Sequence, residues 1–254
     1  MPVKPIQSVQ RALQVLEAVA DLQPIGVAAL CRHLELDKSS VQRVLVTLDA
    51  AGWIRATGEE VTRWELSTRP LVVANRGGGP ISLIERARPE MLALQELSGE
   101  TVFLAIPEAG RIVAVYVLES HHLVRTAPHV GLVLPPEGSA AGSALLSHLS
   151  PMEVTAYVGS PPTQRLLHQL ELTRERGWSL GVGAVQQGAT SLGAAILGND
   201  RRPVAAIVIS GPSDRLHAEQ FSALGDRLVS AAARLSLTSV PTTRIGLHTR
   251  DRAP

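Results

Sequence analysis

Lys38, Ser39, Gln42, Arg43, Val46 and Asp49 recur at spacings of three and four residues, so on a helix they share one face. Val41, Val44, Leu45 and Leu48 fall on the opposite face as an apolar stripe. Arg and Gln side chains can pair with guanine and adenine edges, Ser and Lys suit phosphates, and a helix start adds positive potential. A helix entering a DNA groove by its first turns would place most contacts within Lys38–Arg43. Ser8 and Arg11 on a first helix, with Arg55 and Thr57 on a hairpin, are candidates for the phosphate backbone.

Other chemistry finds less support. Gly138-Ser139-Ala140-Ala141-Gly142 superficially resembles a nucleophile elbow, but the serine is not centred between glycines as G-x-S-x-G requires. Gly181-Val182-Gly183 lacks the third glycine of a dinucleotide loop, and no P-loop pattern occurs. His121, His122 and His129 have no Cys or carboxylate cluster at ligand spacing beside them. No catalytic residue, metal site or cofactor is therefore expected. Cys31, the single cysteine, lies on an apolar helix face, where packing is the expected role.

The elements that must hold these residues follow from periodicity. Helices are expected over Ser8–Ala20, with Val9, Ala12, Leu13, Leu16, Val19 and Ala20 inward, over Val27–Leu34, and over Lys38–Ala51 behind an Asp37 cap. Strands Trp53–Thr57 and Thr62–Leu66 make a hairpin. Helix, helix, turn, helix, hairpin is the order of a winged helix-turn-helix. Gly77-Gly78-Gly79-Pro80 then breaks the chain. Beyond it come a helix over Ile81–Leu97 with Leu97 inward, strands Thr101–Ile106 and Ile112–Leu118, and a further strand at Leu123–Thr126. Helices Ser139–Leu149, Pro151–Val158 and Thr163–Arg176 follow, then strands Leu192–Leu197 and Val204–Ser210 and a closing helix Arg215–Leu235.

The resulting expectation is an α+β chain: a DNA-binding domain over 1–68, a linker over 69–82, a sensor-like domain over 83–238 and a mobile basic tail over 239–254. The chain has 254 residues, 45% of them hydrophobic, enough for real cores. A formal charge of +1 excludes binding through bulk basicity. Residues 1–68 carry seven Lys/Arg against eight Asp/Glu, so a few placed cations must serve. No apolar run of about 18 residues suggests a membrane span, and the start lacks a signal-peptide core, so a cytoplasmic protein is expected.

SVQRALQVLEAVA followed by LCRHLELDKSSVQRVLVTLDAAGWI resembles the winged-helix half of the IclR (isocitrate lyase regulator) family of bacterial transcription regulators. The matching positions are Ser8, Val9, Arg11, Ala12, Leu13 and Leu16, then Lys38, Ser39, Ser40, Arg43, Thr47, Leu48 and Gly52. ARPEMLALQELSGETVFLA, GSAAGSALLSHL, RERGWSL and AAIVISGPSDRL resemble its second half, in order, so the likeness spans about residues 6–237. It implies a winged helix joined to a GAF-like effector-binding domain, working as a homodimer or dimer of dimers on operator DNA under a small-molecule effector. Ser40 and Thr47 join the DNA-binding candidates on this ground.

Effector-binding candidates implied by the resemblance are Ser139, Ala140, Ala141, Gly142, Gly181, Ser191, Val208 and Ser210. Family members that hold small acids tend to carry Asp at Gly181 and Ser at Val208, so the ligand expected here is less polar than a short oxoacid. Glu35 replaces the usual glycine before the third helix, at a cost of about 1 kcal/mol if a left-handed backbone is kept. The alternatives are a second domain used only for oligomerisation, a small-molecule-processing enzyme, and a protein-interaction module.

Overall fold

A computed structural model describes residues 4–58, 61–76 and 80–237. The chain divides into two compact units, 1–78 and 79–254. The 239–254 tail lies outside the described residues.

The first unit orders α1 (Gln7–Leu22), α2 (Val27–Leu34), α3 (Lys38–Ala50), β1 (Ile54–Ala56), β2 (Trp64–Leu66) and α4 (Arg69–Arg76). Its core gathers Val15 and Val19 of α1, Leu30 of α2, Val41, Leu45 and Leu48 of α3, and Ile54 of β1. Cys31 packs against this core, partly buried. Asp37 starts α3 by accepting the Ser40 amide at 2.8 Å, as a cap should. Glu35 keeps the left-handed turn between α2 and α3 at φ 54°. β1 and β2 pair antiparallel, Arg55 opposite Glu65, and the backbone of Ile25 bridges to Trp64 beside them.

One expected stripe is corrected. Val9 and Leu13 of α1 are exposed, with Ile6 before them; Val19 is buried as expected, and Val15 and Ala18 join it in the core. A short three-helix core has room for one narrow seam of α1, and the apolar residues at 6, 9 and 13 form a second seam that faces away from it.

The second unit is a six-stranded antiparallel sheet in the order β5-β4-β3-β8-β7-β6. Its strands are β3 (Thr101–Glu108), β4 (Arg111–Leu118), β5 (Val133–Leu134), β6 (Ser179–Val182), β7 (Ala189–Leu197) and β8 (Pro203–Pro212). Helices α5 (Pro80–Ser98), α6 (Ala140–Leu146), α7 (Pro151–Val158), α8 (Gln164–Arg176) and α9 (Ala218–Leu237) complete it. Strand alternation sorts the two faces. Ala205, Ile207 and Ile209 of β8 join Met91 of α5 and Leu228 of α9 in one core. Ala206 and Val208, with Phe103 of β3, join Ala141 and Leu145 of α6 in the other.

The strand expected at 123–126 does not form, and Leu123 is 97% exposed. Both edges of β3 are already taken by β4 and β8, and the outer edge of β4 is taken at Ile112 and Val113 by Val133–Leu134. Thr126 is instead hooked to the sheet: its carbonyl accepts the Thr101 hydroxyl at 2.7 Å and its hydroxyl donates to Ser210 O at 2.8 Å. Leu97, expected inward on α5, is also exposed, since the helix ends one residue later and turns its last apolar side chain off the sheet.

Candidate functional site

In the first unit, α3 is anchored by one face only. Val41, Leu45 and Leu48 are buried, while Lys38, Ser39, Gln42, Arg43, Val46 and Thr47 are exposed along the other side. No ion pair is present on Lys38 or Arg43 among the described residues, so both cations are available to a ligand. Ser40 lies on the core side, 9% exposed, and its amide is spent on the Asp37 cap; its hydroxyl is poorly placed for an outside partner. Ser39 is exposed, but its hydroxyl donates to Asp37 at 2.6 Å. Thr47 turns its hydroxyl back onto the Arg43 carbonyl at 2.8 Å.

Around α3 the supporting candidates differ in readiness. Ser8 is exposed and Arg11 half-buried on α1. Arg55 on the hairpin is paired with Glu65 at 2.7 Å, so part of its charge is neutralised before any phosphate arrives. Thr57, half-buried, accepts the Arg63 amide at 3.3 Å. The Ser39 hydroxyl, then the Ser40 side chain and amide, hold the Asp37 carboxyl well below the usual carboxylate range. Asp37 is adjacent to Lys38 in the chain and Glu35 is three residues before it, so the stretch leading into α3 carries little net positive charge.

In the second unit a cavity of about 270 Å³ opens on the α6 face of the sheet. The strand register builds its floor: Gly181 of β6 pairs with Ser191 of β7, which pairs with Ser210 of β8. Ser191 donates to Ser210 Oγ at 2.8 Å, which leaves the Ser210 hydroxyl free to donate inward. Ser139 and Ala140, at the start of α6, form one wall. Glycine lets that wall approach: a Cβ on Gly181 would stand 2.7 Å from Ala140 N, and one on Gly193 3.0 Å from Ala140 O. The Ser179 hydroxyl ties the two together, donating to Ala140 O at 2.6 Å.

Five of the eight candidates thus line the cavity: Ser139, Ala140, Gly181, Ser191 and Ser210. Ala141 and Val208 are core residues behind it, and Gly142 is pressed against the Pro136 carbonyl with its amide bonded to Ser139. Sequence reasoning missed Thr126, His129 and Leu132 on one covering loop, and Val185 and Gln186 on another. These loops have no period to read; the nearest signal was the polar threonine inside the supposed strand. No Lys, Arg, Asp or Glu lines the cavity among the described residues. Among those residues, no group of three or more His, Cys, Asp or Glu could hold a metal.

Comparison with known proteins assigns both units. A family model described as bacterial transcriptional regulator IclR C-terminal matches residues 79–237, and one described as IclR helix-turn-helix domain matches residues 8–58. The transcriptional repressor IclR of Escherichia coli (strain K12) is 28% identical over 246 residues, covering 91% of this chain and 89% of the repressor. The HTH-type transcriptional repressor AllR of the same strain is 30% identical over 251 residues, covering 92% and 90%. An IclR homolog from Microbacterium hydrocarbonoxydans, solved in complex with 4-hydroxybenzoate, shares the fold with a TM-score of 0.75 at 21% identity, covering 91% of this chain and 98% of that one.

Proposed function

Since the chain belongs to the IclR family of bacterial transcriptional regulators, a family of regulators and not of enzymes, we propose that its α3 reads operator DNA and that the α6-side cavity holds the effector. The observation that carries the first half is the one-sided anchoring of α3, with Lys38, Gln42 and Arg43 exposed opposite a buried stripe. Gln42 and Arg43 are assigned to base edges, Lys38 to phosphate, and Ser8, Arg11 and Arg55 to backbone support. Ser39, Thr47 and Thr57 are secondary contacts, because their hydroxyls already serve the protein. A gel-shift titration with the DNA upstream of the gene, at two salt concentrations, tests this: retention weakens as salt rises if phosphates are bound. Equal retention of unrelated DNA would contradict it.

The effector is proposed to be less polar than a short oxoacid. The cavity lining supports this through its lack of charge: no Lys, Arg, Asp or Glu lines it among the described residues, the Thr126 and Ser139 hydroxyls already donate to backbone carbonyls, and Ser210, His129 and Gln186 are left for a few neutral hydrogen bonds. Burial of apolar area against Phe103, Leu132 and Leu134 then supplies most of the affinity. Thermal shift against short oxoacids and against single-ring aromatic compounds distinguishes the two; stabilisation by the oxoacids alone would refute the assignment.

A dimer, or dimer of dimers, is the proposed working state. The first unit exposes Ile6 just before α1, Val9 and Leu13 on it, and Leu71, Val72 and Val73 on α4, apolar side chains of the kind a second copy would cover. Two reading helices on a palindrome also double the few cations each unit offers. Light scattering of the full chain measures the assembly; a monomer at micromolar concentration would exclude it.

A further inference from the structure

Val46 is the single large apolar side chain that α3 exposes, 64% accessible in the middle of an otherwise polar face. It stands one helical turn after Gln42 and three residues after Arg43, on the side turned away from the core. None of the described residues of its own unit covers it. A β-branched side chain on a helix is held in one dominant rotamer, so its two methyls point in a fixed direction. In the major groove the donors and acceptors differ from pair to pair, but the C5-methyl of thymine is the apolar group a valine can match.

We propose that Val46 is a specificity residue that packs on a thymine methyl of the operator. This rests on α3 being the reading helix. The separation helps to locate the contact. From Gln42 to Val46 the helix rises about 6 Å, close to two base-pair steps, so the thymine lies one or two pairs from the base read by Gln42. Gln42 and Arg43 would supply hydrogen-bonded readout, and Val46 a contact that rejects any base lacking a methyl at that point.

The test uses duplexes recovered by the full chain from a random-sequence pool, with uracil placed for each thymine in turn. At one thymine per half-site, loss of the methyl is expected to weaken wild-type binding roughly three- to tenfold, the scale of one lost apolar group. Val46→Ala is expected to weaken binding to the thymine duplex by a similar factor and to bind the uracil duplex no worse. Wild-type binding that ignores uracil at every thymine would overturn the inference while leaving α3 as the reading helix. So would a Val46→Ala protein that keeps the full uracil penalty. Failure to recover any preferred sequence would remove the DNA-reading assignment itself, and this inference with it.

Discussion

Glu35 holds a left-handed backbone that glycine adopts at no steric cost, φ 54° at the turn into α3. Glu35→Gly is expected to stabilise the first unit by about 1 kcal/mol, because a Cβ in that conformation crowds the following carbonyl. It also removes a carboxylate from the neighbourhood of Lys38, so operator affinity should rise, and more at low salt than at high. Melting and binding at two salt concentrations check both, and a lower melting temperature would contradict the strain argument. Glu153 makes a different residue-scale prediction. The Ser150 amide, then its hydroxyl, then Arg202 lower its pKa from 4.5 to about 2. A depressed carboxylate stabilises the folded state above its unfolded pKa and loses that contribution as pH falls toward the folded one. Between about pH 4.5 and 2 the wild type should therefore lose stability faster than Glu153→Gln, measured as melting temperature against pH. Parallel curves would show that the capping box at α7 contributes nothing in that window.

At the scale of elements, α6 lies close on the sheet because two strand positions carry no side chain. Gly181→Ala would put a methyl against the Ala140 amide, among backbone atoms that cannot swing aside. A destabilisation of about 1–3 kcal/mol is expected from such overpacking, with loss of ligand response in thermal shift. An unaltered melting temperature would mean that α6 can lift. Much of this arrangement was legible beforehand: the 3.6-residue stripe and Asp37 placed α3, and β-branched runs placed β3, β4, β7 and β8. What failed did so for physical reasons. Periodicity on α1 cannot say which of two apolar seams faces the core, so Val9 and Leu13 were placed inward. An apolar run at 123–124 becomes a strand only if it reaches a free sheet edge; β3 is flanked on both sides by β4 and β8, and Thr126 is tied to the sheet by hydrogen bonds of its hydroxyl and carbonyl instead. The cavity's floor came from motif likeness, whereas the covering loop through Thr126 is fixed by tertiary hydrogen bonds that no local pattern encodes, and the one through Val185 is a turn closed between Gly183 and Ala189.

At the scale of the whole molecule, a chain with +1 formal charge reads DNA only if a few cations are well placed and used more than once. If effector binding alters operator affinity, the operator must alter effector affinity by the same factor, so either ligand can report on the other. The central claim nevertheless rests on α3, and Lys38 and Arg43 separate base reading from phosphate binding. The decisive measurement is the salt dependence of affinity for a selected duplex and for its scrambled counterpart, with the wild type, Lys38→Ala and Arg43→Ala. Arg43→Ala should lose about 1–3 kcal/mol on the selected duplex alone, with the salt slope nearly kept, while Lys38→Ala should weaken both duplexes and flatten the slope. Undiminished affinity of Arg43→Ala for the selected duplex would contradict the account.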